Sequence, residues 1–276
     1  MKRQTPVDLP QGYIDFFIAL ENLQNEQQIL LAKTNQFETF DIKKIITSGN
    51  RPLIKMQGIT INEDDYKSAL LSIIRFMKAN RPDTTTGMEK LEQVLGDLDI
   101  KPVVSKLAAL EIDDFFAKLA EQVDLTPELV VFVFDHALRP FLRIYAAPYQ
   151  DELVKDDTPF WRFPNICPVC GSKSHFSRIR SADDRRFMFC DRCFSEWESP
   201  FLQCVHCGND NPTSIKYLNV ENDDAYQLYV CDKCLGYLKT YDERQKKQIT
   251  DLFIANMETI YLDLLAKEKG YTNHDE

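Results

Sequence analysis

The sequence predicts an α+β protein: an N-terminal helical bundle, two tandem four-cysteine ribbons, and a closing helix. Three observations predict it. Apolar residues recur at helical spacing through the first 150 positions, all eight cysteines fall between Cys167 and Cys234 in CxxC pairs, and short alternating stretches replace the helical period around them. The expected division is 1–150 helical, 151–160 an acidic linker around DELVKDDTP, 161–200 and 201–241 the two ribbons, and 242–276 the closing helix and tail.

The first helix is expected in DLPQGYIDFFIALENLQNEQQILLAK, capped by Asp8, with Tyr13, Phe16, Phe17, Leu20 and Leu23 on one face. ITSGNRP then breaks the pattern. A second helix follows the cap Asn62 and buries Leu70, Ile73, Ile74 and Met77. TTTGMEKLEQVLGDLD and EIDDFFAKLAEQVD supply a third and a fourth. The fifth starts with Thr126 as N-cap and Pro127 at the first helical position, a sound start. It is apolar nearly all round, as the central helix of a bundle should be. Pro140 should kink or end it. FSRIRS, RRFMFC, IKYLNV and AYQLYVC read as hairpin strands. ERQKKQITDLFIANMETIYLDLLAKEKG reads as one helix with Ile249, Leu252, Phe253, Met257, Ile260, Tyr261, Leu264 and Leu265 on its apolar stripe, and YTNHDE as a loose tail.

Composition narrows the function. At 44% hydrophobic and 28% charged residues, the 276-residue chain has enough apolar matter for a real core. No apolar run approaches the length of a membrane span. MKRQTPVDLPQG has no apolar h-region, so no secretory signal is expected and the cytoplasm is the expected compartment. A net charge of −10 opposes non-specific attraction to nucleic acid or an anionic membrane.

The cysteines carry the chemistry. The candidate metal ligands are Cys167, Cys170, Cys190, Cys193, Cys204, Cys207, Cys231 and Cys234. Nineteen residues separate the first two pairs, ten the middle pairs and twenty-three the last two. Each CxxC turn aims two sulfurs at one side of a tetrahedron, and an intervening hairpin returns the chain with the other two. Gly171 and Gly208 follow their pairs where a positive φ suits the turn. Pairing the first pair with the second and the third with the fourth closes the shorter loops, with a cross-braced arrangement as the alternative. Disulfides need an oxidising compartment, and a redox CxxC normally occurs once beside a βαβ unit, so a pair of metal sites is expected. Two metal ions are implied, iron or zinc, since sulfur-only tetrahedra suit both. A closed four-thiolate site is structural or electron-carrying, not hydrolytic. His206, inside CVHC, is an alternative ligand; His175 reads as a neighbour of the first site, His136 as a core residue and His274 as part of the tail. No Ser-His-Asp set, P-loop or glycine-rich nucleotide motif is visible, so no catalytic residues are expected.

CPVCGS, FCDRCFSEWE, CVHCGN and CDKCLGYLKTYD, in that order and spacing, resemble the formate dehydrogenase accessory protein family, FdhE. ALRPFLRIYA before the linker and LDLLAKEKGY near the end resemble it too. The resemblance implies a cytoplasmic, non-catalytic maturation factor whose helical domain joins two rubredoxin-like modules holding iron or zinc, and whose partner is the formate dehydrogenase catalytic subunit. It also marks Ser195, Glu196, Trp197, Gly236, Tyr237, Leu238 and Lys239 as motif positions without an assigned role. Leu235, where some relatives carry a polar residue or histidine, and the NHDE end depart from the family pattern.

Two other readings stand beside it: a tandem zinc ribbon that reads nucleic acid, and a rubredoxin-like electron carrier. Arg178, Arg180, Arg185, Arg186 and Arg192 concentrate positive charge in the first ribbon, but Asp183, Asp184 and Asp191 interrupt it. The same arginines are expected to suit an acidic protein face. Metal is expected to supply much of the ribbons' folding energy, so that a Cys→Ser change loosens its own ribbon and leaves the helical part folded.

Overall fold

The computed structural model describes residues 6–245 and 251–275. Among them, nine α-helices come first: α1 (Tyr13–Leu31), α2 (Ile42–Ser48), α3 (Leu53–Gln57), α4 (Glu63–Asn80), α5 (Thr85–Val94), α6 (Ile100–Ala108), α7 (Asp114–Val123), α8 (Pro127–Ala146) and α9 (Gln150–Leu153). Strands β1 (Phe176–Ile179), β2 (Arg186–Phe189), β3 (Glu196–Ser199), β4 (Ile215–Asn219), β5 (Tyr226–Cys231) and β6 (Tyr237–Asp242) follow, then α10 (Leu252–Glu258) and α11 (Ile260–Glu268).

Local chemistry sets the helix starts. Asn62 accepts from Asp65 N at the start of α4, and Thr126 accepts from Leu129 N at the start of α8, as the sequence predicts. The start of α1 differs: Gly12, left-handed at φ 77°, precedes the helix, and Asp8 lies upstream of it. The ITSGNRP region is not simply a break, because α2 and α3 flank it, and α6 is a further helix that the periodicity did not reveal.

Helix α8 is the axis of the bundle, packed by α1, α4, α6 and α7. Pro140 does not end it; the helix runs six residues further, to Ala146. A proline cannot donate to the carbonyl four residues back, which is that of His136. Gln24 of α1 donates its amide to that carbonyl at 2.7 Å instead. The orphaned acceptor is satisfied, and the helix persists through its proline.

The six strands form one sheet in the order β3-β2-β1-β6-β5-β4. Each ribbon contributes an antiparallel meander with the same chain order: knuckle, two strands, knuckle, strand. The two ribbons fuse through a parallel pairing of β1 with β6, Phe176 opposite Lys239 and Ser177 opposite Thr240. The buried hydroxyls of Ser177 and Thr240 meet there at 2.9 Å. Alternate residues then face opposite layers. Met188, Trp197 and Leu238 join the core of the bundle, whereas Phe176, Phe189, Tyr226, Leu228, Tyr237 and Tyr241 pack under α10 and α11.

The closing helix is two helices. Asp251 caps α10, and Thr259, bonded to Ala255 O, marks the break before α11. Ile249, assigned to the apolar stripe, lies outside the described residues. Leu264 is exposed, while Leu262 and Ala266 are buried in its place. The tail is docked: Thr272 forms a bridge with Gly236, and its amide donates to Leu235 O at 2.7 Å.

Candidate metal centres

Each of the four CxxC pairs folds into the same turn. The amide after the second cysteine donates to the carbonyl of the first, at 2.8–3.0 Å: Gly171 to Cys167, Phe194 to Cys190, Gly208 to Cys204 and Leu235 to Cys231. That residue has positive φ in all four, from 58° to 78°. Glycine meets this requirement at two of them. At Phe194 the left-handed backbone costs about 1–2 kcal/mol, and the ring is held by packing: the Arg143 guanidinium lies 3.7 Å above it, and Phe189 and Phe253 flank it.

The turns bring the sulfurs together as two tetrads, Cys167/Cys170/Cys190/Cys193 and Cys204/Cys207/Cys231/Cys234, each with its ligand atoms within 4.8 Å of one another. This is the local pairing, not the cross-braced one. Sγ–Sγ distances are 3.5 Å for Cys167–Cys193 and Cys170–Cys190, 3.7 Å for Cys204–Cys234 and 3.9 Å for Cys207–Cys231. A tetrahedron with metal–sulfur bonds of about 2.3 Å has edges of about 3.8 Å. The separations therefore fit a metal ion and are far too long for disulfides. All eight cysteines are free, and each tetrad can hold one ion.

The two centres differ in their surroundings. The first is fully enclosed, its four cysteines at most 1% exposed. The helical part holds both of its knuckles. The first two amides of α3, Leu53 and Ile54, donate to Pro168 O and Val169 O inside CPVC. Arg192, inside CDRC, donates to Asp135 of α8 and to Leu107 O at the end of α6, both at 2.7 Å. Its four cysteines belong to the same apolar cluster as the bundle. The second centre lies at the surface: Cys207 is exposed, and Leu235, in its knuckle, is 50% exposed.

With no metal bound, burial pushes the Cys167 thiol well above its ordinary value and the Cys204 thiol up to about 11. Burial also opposes ionisation of Cys231, but the backbone amides of Cys234 and Lys233 overcome it and lower that thiol. Gly236 N and the Asn209 side-chain amide point at Cys234 and Cys231 sulfurs, as donors to thiolates do.

His206 is not part of the tetrad. Its Nε2 donates to Tyr237 O at 2.9 Å, and burial pushes its pKa down to about 4. His136 is a core residue against Gln24, as expected. His175 and His274 lie at the docked tail, the former against Asp275 and the latter against the His206 ring.

The arginines do not form a free basic patch. Arg178 pairs with Glu196 and Glu243, Arg180 and Arg185 share Asp183, and Arg192 pairs with Asp135. Arg186 is buried, 2% exposed. An acidic partner face finds little here to grip.

Four of the motif positions without an assigned role make structural contacts. Trp197 is buried in β3 and donates from Nε1 to Pro164 O. Gly236 admits the histidines, since a Cβ there would stand 2.6 Å from His206 Cδ2. Lys239 is buried and reaches Asp263 at 2.7 Å, and Tyr237 donates to the same carboxylate, fixing α11 to β6. Only tertiary partners reveal these roles.

A helical bundle whose core incorporates one four-cysteine cluster, joined to a sheet that continues into a second, defines a duplicated four-cysteine-ribbon protein with a helical platform. Residues 166–200 match the FdhE central domain and residues 202–275 the FdhE C-terminal domain. The cysteine-bearing region, residues 166–275, is thus similar to the FdhE family. It is 29% identical over 181 residues to an FdhE homologue of Aquifex aeolicus, covering 64% of this chain and 62% of that protein. It is 31% identical over 107 residues to the FdhE homologue of Haemophilus influenzae, covering 38% and 35%. The chain thus spans less than two thirds of the curated relatives it matches. The crystal structure of the FdhE protein from Pseudomonas aeruginosa superposes with a TM-score of 0.60 at 21% identity, covering 95% of this chain and 87% of that one, and shows the fold to be shared.

Proposed function

We propose that the chain is a non-catalytic accessory protein in the cytoplasmic maturation of formate dehydrogenase, which it binds through the enzyme's catalytic subunit. Similarity of the cysteine region to FdhE proteins supports the process; the tetrads support the mode of action. Four thiolates complete a tetrahedral ion, so neither centre keeps a coordination position for a substrate. All eight cysteines are then ligands to two ions, zinc or iron, that staple the sheet. The exposed second centre carries the reading of a docking face. Leu202 and Leu235, 64% and 50% exposed, flank its knuckles, and Tyr217, 61% exposed, lines an adjoining groove of ≈ 420 Å³ with Phe201 and Arg244. Exposed apolar side chains around a rigid support suit recognition of a client surface. No helix of the described residues is long and apolar enough to cross a membrane.

The test is an anaerobic affinity pull-down from the native host with partners identified by mass spectrometry. Recovery of the formate dehydrogenase catalytic subunit, lost with Leu202→Asp plus Leu235→Asp at unchanged metal content, supports the proposal. Recovery of RNA, DNA or transcription components in its place contradicts it. Exposure of Cys207 also favours a second reading, electron transfer through iron at the outer centre. That reading requires a visible iron–thiolate band that a physiological reductant bleaches reversibly.

A further inference from the structure

Arg186 is the one arginine of the first ribbon buried without a carboxylate partner among the described residues. It stands on β2, 2% exposed, and neither Nε nor Nη2 has a hydrogen-bond partner. Its guanidinium stacks on Tyr229 and Phe201, at 4.4 and 5.0 Å from the ring centroids. It lines a cavity of ≈ 20 Å³, space for a single water, whose other walls include Cys204, Cys231 and His206 of the second centre. A buried cation left uncompensated is among the most destabilising features a fold can carry.

The two centres make the missing partner intelligible. Four thiolates and a divalent ion carry a formal charge of about −2. At the first centre, the arginine within the knuckle, Arg192, is already neutralised by Asp135. At the second, Arg186 reaches across from the neighbouring ribbon, and the ring faces around it supply only partial compensation. We propose that Arg186 is the counter-ion of the second tetrathiolate centre, so that metal loading there and the seating of β2 against the second ribbon are one linked equilibrium. Burial disfavours the Arg186 cation, while the Tyr229 hydroxyl and, to a smaller degree, Cys204 favour it. Loss of the ion leaves Arg186 unpaired; loss of Arg186 leaves the dianionic centre in a low-dielectric wall. The coupling is electrostatic and acts from a residue that touches no metal.

The inference rests on the metal reading of the tetrads made above. The full-length chain is equilibrated with zinc buffers of graded free concentration, then treated with iodoacetamide. Peptide mapping gives, for each tetrad, the free zinc at which half of its cysteines are protected. Arg186→Met is expected to raise that concentration for Cys204, Cys207, Cys231 and Cys234 by about tenfold or more, and to leave the first tetrad unchanged. Arg186→Lys, which keeps the charge, is expected to recover most of the loss. In metal-free protein the sign reverses, and Arg186→Met resists urea better than wild type. No shift in Arg186→Met, an equal shift at both tetrads, or equal weakening in the Lys and Met variants would overturn the role of Arg186 alone. Absence of zinc protection at either tetrad of the wild-type chain would overturn the metal reading as well.

Discussion

Arg192, inside the second knuckle of the first ribbon, donates from Nε to Asp135 of the bundle's central helix at 2.7 Å. Asp135 also accepts from Arg139, which in turn reaches Asp191 O. The carboxylate lies partly buried between two guanidinia. Burial opposes its ionisation, but Arg192 and Arg139 overcome it and hold the carboxyl far below the usual range. The first centre is thus bolted to the bundle through a charged triad, and the linkage has measurable consequences.

Asp135→Asn removes the carboxylate shared by buried Arg192 and partly buried Arg139. Breaking a buried pair by removing one partner typically costs about 3–5 kcal/mol. Urea unfolding should show a loss of that order, with alkylation of Cys190 and Cys193 accelerated before that of Cys231 and Cys234. A loss below about 1 kcal/mol would place the triad among ordinary surface pairs.

The two tetrads should fail differently. The first shares its apolar cluster with the bundle, so Cys170→Ser is expected to lower the unfolding midpoint of the entire chain. For that centre the shared core replaces the expectation of ribbon-limited damage with one of global damage. Cys234→Ser, at the half-exposed second centre, should expose the second ribbon to protease while the helical fragment resists. Limited proteolysis with mass mapping distinguishes the two, and identical patterns would refute the asymmetry.

The passage of α8 through Pro140 depends on Gln24. Gln24→Leu strands the His136 carbonyl and should cost about 1–3 kcal/mol. In a Pro140→Ala background the substituted residue regains an amide N–H and can supply the helical donor, so the cost of Gln24→Leu should shrink. A double-mutant cycle measures this, and a coupling energy of zero would refute the compensation.

His136 predicts a pH dependence. Burial, reinforced by Arg139 and Arg143 against Asp135, pushes its pKa well below the ordinary value. The unfolded chain then binds a proton below about pH 6.5 that the folded chain does not, so stability is complete above that pH and declines as the pH falls. Between pH 7.5 and 5.5, wild type should lose about 1.4 kcal/mol more than His136→Gln. Parallel pH profiles would show that His136 titrates normally in the fold.

The two cysteine tetrads are legible in the sequence because CxxC spacing is local chemistry, and the α8 start because Thr126-Pro127 is a local cap. What escapes depends on tertiary partners or on length. Helices α2 and α3 have seven and five residues, too few to show a period. Strand β6 carries Lys239, a poor strand residue whose burial makes sense only once Asp263 arrives from α11. The tail reads as loose because its anchor, the bridge between Thr272 and Gly236, joins residues far apart in the chain. The arginine cluster reads as a surface patch because sequence shows the charges and not the carboxylates that meet them.

The most direct test of the account is the metal content of the anaerobically purified full-length chain. Elemental analysis should find two ions per chain, zinc or iron, falling to one when Cys231 and Cys234 are both changed to serine. A wild-type chain that folds with no bound metal would contradict it.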